Sequence, residues 1–276
     1  MLNLFPSREI AIQILNLSIH WYGLMYLFGF LLAFFLLPRI QKYRNLYLTK
    51  DEWSSLLAWG VIGVILGGRL GFVLFYEPFY YLSAPLEIIK VWHGGMSSHG
   101  GFLGVITVLI IYTRRHNLDL LSLLDLLVIP AAIGLALGRL GNFINGELYG
   151  IETSVAWGMS FPGVDGLRHP TQIYAILKDL IIAGSMTMYM WSRPLMGRVF
   201  ALAILLYGLL RFLVEYFRDQ PYGFVDLGIT TISRGQILTI PLIVIGLIVW
   251  WISNNTRRII FKSEKRNSKS EGKYKS

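Results

Sequence analysis

The chain has no cysteine, which excludes a disulfide framework, a thiolate nucleophile of its own and a Cys-based metal site. Histidine is sparse as well. The five present form no H-E-x-x-H pair or other tight His/carboxylate cluster, so neither a metal nor a cofactor is expected. There is no G-x-x-x-x-G-K-[ST] loop for nucleotide phosphates and no G-x-S-x-G elbow for serine hydrolysis. Charge is thin too, at 15% of residues against about a quarter in an ordinary soluble domain. No folded basic surface is visible, which argues against nucleic acid as a partner.

What takes the place of charge is hydrocarbon. Apolar residues make up 54% of the 276. Length alone would suggest about two soluble domains. The hydropathy instead predicts an all-α polytopic membrane protein, with one integral membrane unit over residues 1–256 and a basic, disordered tail at 257–276. A helix needs about 20 apolar residues to cross a bilayer. Seven stretches qualify, at roughly 19–38, 56–76, 99–113, 120–138, 172–191, 199–216 and 236–253. Residues 1–18 are expected at the membrane interface, 78–98 as a partly re-entrant loop, and 139–171, rich in Gly and Pro, as a small extracytoplasmic head. The first apolar run is too long for a signal-peptide core and lacks a small-x-small cleavage site.

Loop charge sets the orientation through the positive-inside rule. One set of loops carries Arg39, Lys42, Arg44, Lys50, Arg114, Arg115, Arg193 and Arg198, and the lysine- and arginine-rich tail joins it. The opposite set has only Arg8, Lys90, Arg139, Arg168, Arg218 and Arg234. The N-terminus is therefore expected outside and the C-terminus in the cytoplasm. The tail serves as a topological anchor with possible contact to anionic headgroups.

A charge inside a membrane span costs about 2.5–3.5 kcal/mol on insertion scales, so each one asks for a reason. Arg69 lies in the second apolar run, Asp125 in the fourth, and Arg211 and Glu215 in the sixth. Arg211 and Glu215 are four apart and share a helix face, which Arg218 continues. That stripe reads either as an anion site or as a self-neutralising pair that packs the bundle. Asp125 reads as structural, a partner for a buried arginine or for backbone freed near Pro130. The many glycines of the second run are first of all packing residues. Gly-Arg-Leu-Gly occurs at 68–71 and again at 138–141, a weak trace of internal repetition.

The densest chemistry is in the stretch 138–150, Gly-Arg-Leu-Gly-Asn-Phe-Ile-Asn-Gly-Glu-Leu-Tyr-Gly, with Arg139, Asn142, Asn145 and Glu147 set between four glycines at a membrane edge. His99 stands out among the histidines because glycine pairs flank it in Gly94-Gly95-Met96-Ser97-Ser98-His99-Gly100-Gly101. With these go His20-Trp21-Tyr22-Gly23, Gly68-Arg69, Arg168-His169-Pro170 and Arg211 with Glu215. Taken together, and over nearly the whole chain, they resemble the prolipoprotein diacylglyceryl transferase family of bacterial membrane enzymes. The segment 139–171 looks shorter than is usual in the family, and Ser98 stands where an aromatic is frequent.

The resemblance implies a reaction. A diacylglyceryl group passes from phosphatidylglycerol to the thiol of a lipobox cysteine in a prolipoprotein signal peptide, and glycerol phosphate leaves. It implies catalytic roles for His99, Arg139 and Arg211, and substrate-binding roles for Tyr22, Arg69, Asn142, Glu147, Gly150 and Glu215. The implied partners are phosphatidylglycerol, the prolipoprotein and the bilayer, at the bacterial inner membrane, with no cofactor. The residues suit this chemistry. Arginine forks match phosphate oxygens, and fixed cations stabilise charge growing on a leaving phosphate. Two rivals remain from the residues alone: a transporter for an anionic lipid or solute, because intramembrane arginines also mark transport paths, and a non-enzymatic membrane scaffold.

Overall fold

A backbone in hydrocarbon has no water to bond, so apolar runs of this length close their hydrogen bonds internally as helices. The protein, seen in a computed structural model that describes residues 2–4, 8–15, 17–220, 223–226 and 231–273, is accordingly mostly helical. Short strands β1 (Leu2–Leu4), β2 (Ile10–Ile14) and β3 (Leu17–His20) precede α1 (Trp21–Ile40). Then follow α2 (Lys50–Phe75), α3 (Pro78–Ser83), α4 (Ser98–Arg115), α5 (Leu120–Asn145), α6 (Thr171–Trp191) and α7 (Arg198–Glu215). A hairpin of β4 (Phe224–Asp226) and β5 (Thr231–Ser233) leads into α8 (Arg234–Lys273).

Among the described residues, five segments are long and apolar enough to cross a membrane: Trp21–Arg44, Lys50–Phe75, Leu120–Asn145, Thr171–Trp191 and Gly235–Asn255. The other two expected spans do form helices, α4 and α7, of 18 residues each. Charge and polarity set them apart. α4 opens on Ser-His-Gly-Gly and closes on Arg114-Arg115, while α7 carries Arg198, Arg211 and Glu215. Two boundaries differ from the sequence expectation for identifiable reasons. α2 starts at Lys50 because Thr49 and Glu52 form a capping box, with Glu52 N donating to Thr49 Oγ1 at 3.2 Å and Thr49 N to Glu52 Oε2 at 2.7 Å. α8 stays helical through Lys273, over most of the tail expected to be disordered. Its Lys, Arg and Glu are good helix formers. Residues 274–276 of that tail lie outside the described residues.

Two compact units divide the chain, one of residues 1–33 and 124–276 and one of residues 34–123. In the 34–123 unit, α2 packs on α4 along a glycine seam. A Cβ on Gly104 would lie 1.9 Å from the Gly63 carbonyl oxygen, and one on Gly100 would lie 2.2 Å from that of Gly67. Without a hydrophobic force between helices in lipid, such close backbone approach is what holds a pair together. Arg69, 3% exposed, then ties down the loop after α3. Its guanidinium donates to the carbonyl oxygens of Ile88 (2.9 Å), Gly95 (3.1 Å), Lys90 (3.2 Å), Glu87 and Gly94, and its charged carbon lies 5.0 Å from the Tyr81 ring centre. In the same loop Glu87 meets Lys90 Nζ at 2.5 Å and His93 Nδ1 at 3.0 Å.

In the larger unit, β1, β2 and β3 form an antiparallel sheet in that order, with Leu2 opposite Ile14 and Ile10 opposite His20. The expected interfacial segment is thus a sheet, which the alternation Ile10-Ala11-Ile12-Gln13-Ile14 favours. α6, α7 and α8 pack successively around buried Ile182, Met186, Met190, Val199 and Ala201. Asp125, fully buried, accepts from the backbone N–H groups of Gly197 and Phe200, each at 2.7 Å. It caps the N-terminus of α7, where a negative charge also suits the helix dipole. Those bonds give it a structural role through a helix end, which neither expected alternative, a buried arginine or the backbone near Pro130, had named.

Two tests follow from the 34–123 unit. Gly104→Val should destabilise it by about 1–3 kcal/mol or more through overpacking of the seam, read as a lower unfolding midpoint in detergent. The hydrogen bond from Lys90, and then that from His93, hold the Glu87 carboxyl below the ordinary carboxylate range. With a depressed value, the contact stabilises at and above that range and is lost as pH falls through the lowered value. Amide exchange at 87–93, corrected for intrinsic rates, should therefore be faster near pH 3 than near pH 6.

Candidate active site

The motif at 138–150 is helix first and loop second. Nothing between Arg139 and Asn145 breaks a helix, so α5 runs on to Asn145, past the point where the sequence reading began a head. Arg139, Asn142 and Asn145, three apart, therefore share one face. Gly146, at φ +76°, ends the helix in the left-handed region. Gly146 N donates to Phe143 O and Glu147 N to Asn142 O, both at 3.1 Å, the paired closure of a Schellman motif. That turn folds Glu147 back over the helix end.

Five side chains meet there. Asn142 Nδ2 donates to Tyr22 Oη and, at 3.2 Å, to Glu147 Oε1. Tyr22 Oη donates to the same carboxylate, as does Asn145 Nδ2 at 3.3 Å. Arg139 Nη1 donates to Asn142 Oδ1 at 3.3 Å. The start of α6 holds the turn in place. Gln172 Nε2 donates to the Glu147 carbonyl at 2.7 Å and Thr171 Oγ1 to that of Leu148 at 2.8 Å.

The end of α7 supplies the second half. Glu215, 5% exposed, meets Arg211 Nη2 at 2.7 Å and Arg218 Nη1 at 3.8 Å, and Gln220 Nε2 donates to its Oε1 at 3.1 Å. One carboxylate thus braces two guanidiniums. Burial, and next the nearby Arg211, lower the Arg218 guanidinium from its usual value, although an arginine remains a cation at any physiological pH. Between the two halves lies a cleft lined by Arg139, Leu148, Thr171, Gln172, Ala175, Arg211, Val214 and Arg218. Three guanidiniums share this lining with Leu148, Ala175 and Val214, an arrangement chemically able to bind an anion.

Of the expected residues of this unit, Arg139 and Arg211 line the cleft, while Asn142, with Tyr22 and Glu147 bonded to it, and Glu215 are bonded to those arginines. Gly150 does not bind through its backbone donor, since its N–H goes to His169 O at 2.8 Å. A Cβ there would lie 2.2 Å from Phe217 O, so Gly150 serves packing. His99 and Arg69 belong to the other unit. His99 sits exposed in the first turn of α4, after the Ser97 cap. Arg69 has all three of its nitrogens bonded to carbonyls, so the substrate-binding role expected of it lacks a free donor, and it acts as a clamp.

Two features escaped the sequence reading. Gln172 gave no signal, being one polar residue near a helix start. Lys178 and Asp179 gave the same signal as Asp125, a charge in an apolar run. Both are buried, at 5% and 2% exposed, and are ion-paired, with Lys178 Nζ 3.9 Å from the Tyr207 ring centre. Asp179→Ala alone leaves a buried unpaired ammonium and should cost about 3–5 kcal/mol, whereas Lys178→Met with Asp179→Leu should cost far less. Thermal unfolding of the three proteins in one detergent measures the difference.

Comparison with known proteins bears on the same residues. A family profile described as prolipoprotein diacylglyceryl transferase matches residues 9–252. The phosphatidylglycerol–prolipoprotein diacylglyceryl transferase of Nitrosomonas europaea is 45% identical over 247 residues, covering 88% of each chain. The protein of that name from Bordetella parapertussis is 45% identical over 247 residues, covering 88% of this chain and 94% of its own. That from the Wolbachia of Culex pipiens is 42% identical over 248 residues, covering 87% and 92%. With this match spanning both the arginine cleft and the glycine seam, the chain belongs to the prolipoprotein diacylglyceryl transferase family.

Proposed function

We propose that this protein transfers the diacylglyceryl group of phosphatidylglycerol to the lipobox cysteine thiol of a prolipoprotein, the first step of bacterial lipoprotein maturation. The observation that carries the reading is the cleft bearing Arg139, Arg211 and Arg218, in a chain of this family. Arg139, Arg211 and Arg218 line the cleft, and Glu215 faces two of them, which leaves the lining net positive. A net positive lining suits an anionic phosphodiester.

In the reaction a carbon–sulfur bond forms and the bond from glycerol carbon to phosphate oxygen breaks. The electron pair leaves on the phosphate, and the thiol gives up its proton. Arg139 and Arg211 bind the phosphate and stabilise the charge that grows on it. Glu215 orients Arg211. Asn142, Glu147 and Tyr22 orient Arg139 and meet headgroup hydroxyls. The thiol comes from the substrate, and a free thiol has a pKa of about 8.5, so it needs a base or a cationic field. His99 is our candidate for assisting its deprotonation.

The membrane setting follows the same reading. The 18 residues of α4 and of α7 rise about 27 Å at 1.5 Å each, close to a hydrocarbon core of about 30 Å. Seven spans with the N-terminus outside are therefore our topology, in the inner membrane. They put the cleft and the 146–170 connection on the outer side and the basic C-terminal segment in the cytoplasm.

Purified protein, phosphatidylglycerol and a lipobox peptide should give a diacylglyceryl mass gain on the peptide cysteine. Arg139→Ala should abolish it while leaving the unfolding midpoint in place. Arg211→Lys keeps the charge but loses the planar fork, and kcat should fall by about 10²–10³-fold. Folded wild-type protein giving no product across several lipids would favour transport of an anionic lipid instead.

A further inference from the structure

The polar lining of the cleft is mostly donor, and Gln172 carries its one buried acceptor with no partner among the described residues. Guanidiniums offer only N–H groups. Thr171 has committed its hydroxyl proton to Leu148 O at 2.8 Å, so that group is already hydrogen-bonded and keeps only acceptor capacity. Gln172 lines the same cleft and is 1% exposed. Its amide orientation is fixed by chemistry, because the Glu147 carbonyl 2.7 Å away can only accept and so must face the NH2 end. That leaves Oε1 as a buried acceptor with no hydrogen-bond partner among the described residues. Buried acceptors in native proteins are nearly always paired. A donor brought by the ligand would pair this one.

The surroundings limit which donor that is. An ammonium would enter against Arg139, Arg211 and Arg218, and like charges in a poorly screened cleft repel strongly. A hydroxyl donates a proton without carrying charge. One ligand satisfies both demands if it has a phosphodiester for the arginines and a hydroxyl a few bonds further on.

We infer that Gln172 is a specificity-determining residue, whose Oε1 accepts a hydrogen bond from a hydroxyl of the lipid's polyol headgroup. The cleft then selects a hydroxylated phosphodiester over one ending in an ammonium or a bare alkyl group. This rests on reading the cleft as the phosphatidylglycerol site. A pocket built to bond a hydroxyl discriminates strongly against an analogue that lacks it, because its own polar group is left unpaired.

The test compares phosphatidylglycerol with phosphatidylethanol, which has the same charge and no headgroup hydroxyl, in the peptide transfer assay. Phosphatidylethanolamine is a third lipid. Wild-type protein should favour phosphatidylglycerol over phosphatidylethanol by at least about tenfold in kcat/KM, and Gln172→Met should bring that ratio close to one. The ratio is taken within one preparation, so a loss of folded fraction cancels. If Gln172→Met does not fold, Gln172→Asn, which withdraws Oε1 by one methylene, is judged by the same ratio. Equal use of the two lipids by wild-type protein overturns the inference, and so does a ratio unchanged in the variant. Native mass spectrometry of bound lipid runs in parallel. If no thioether forms with any lipid, the transferase reading fails by itself, and the bound-lipid ratio and its response to Gln172→Met decide the inference alone.

Discussion

Glu215 stands four residues after Arg211 and three before Arg218, and its carboxylate lies against both. The cleft depends on that contact. Two guanidiniums beside an apolar helix would repel each other and lose their hydration, and a buried charge without a partner costs several kcal/mol. One shared carboxylate offsets both penalties and fixes where the forks point. It also leaves the cleft as a whole positive, because Arg139 comes from a different helix and spends only part of its donor capacity on Asn142. An anion therefore completes the arrangement.

Convergence on this spot is a consequence of helix direction. Arg139 is near the end of α5, Gln172 at the start of α6, and Arg211 and Glu215 at the end of α7. Consecutive antiparallel helices bring the end of one, the start of the next and the end of the third to a single side of a bundle. At the other side, the same pattern lets Asp125 near the start of α5 cap the start of α7, and lets Ser253 in α8 donate to Met196 O at 2.7 Å. One end gathers the guanidiniums of the cleft, and the other holds a carboxylate that caps a helix.

The two Gly-Arg-Leu-Gly segments show how context decides a role. Arg139 faces a cleft. Arg69 has a loop wrapped around it, and five carbonyl oxygens take up its donors. In both cases the guanidinium is costly to bury unless its N–H groups are met. Backbone carbonyls can meet them as well as a phosphate can, and no local sequence pattern tells the two solutions apart.

Much was legible beforehand for a simple reason. The cost of burying charge is paid residue by residue, so Arg139, Arg211, Glu215 and Asp125 were visible against hydrocarbon, and Lys178 with Asp179 showed the same signal. The helices followed from apolar runs, and the Thr49–Glu52 capping box that lengthens α2 was present in the letters. Less visible was Gly146 rather than Gly138 as the end of α5, because a glycine in a helix interior is tolerated and only the backbone angle distinguishes the two. The sequence by itself determined composition, where the apolar helices form and which charges needed partners, since these depend on local hydropathy. Only the tertiary structure decided the partners: carbonyls for Arg69, a helix end for Asp125, a shared carboxylate for Arg211 and Arg218, and none among the described residues for Gln172 Oε1. Hydrogen bonds and ion pairs act over a few ångströms between residues far apart in the chain, so only folding could assign them.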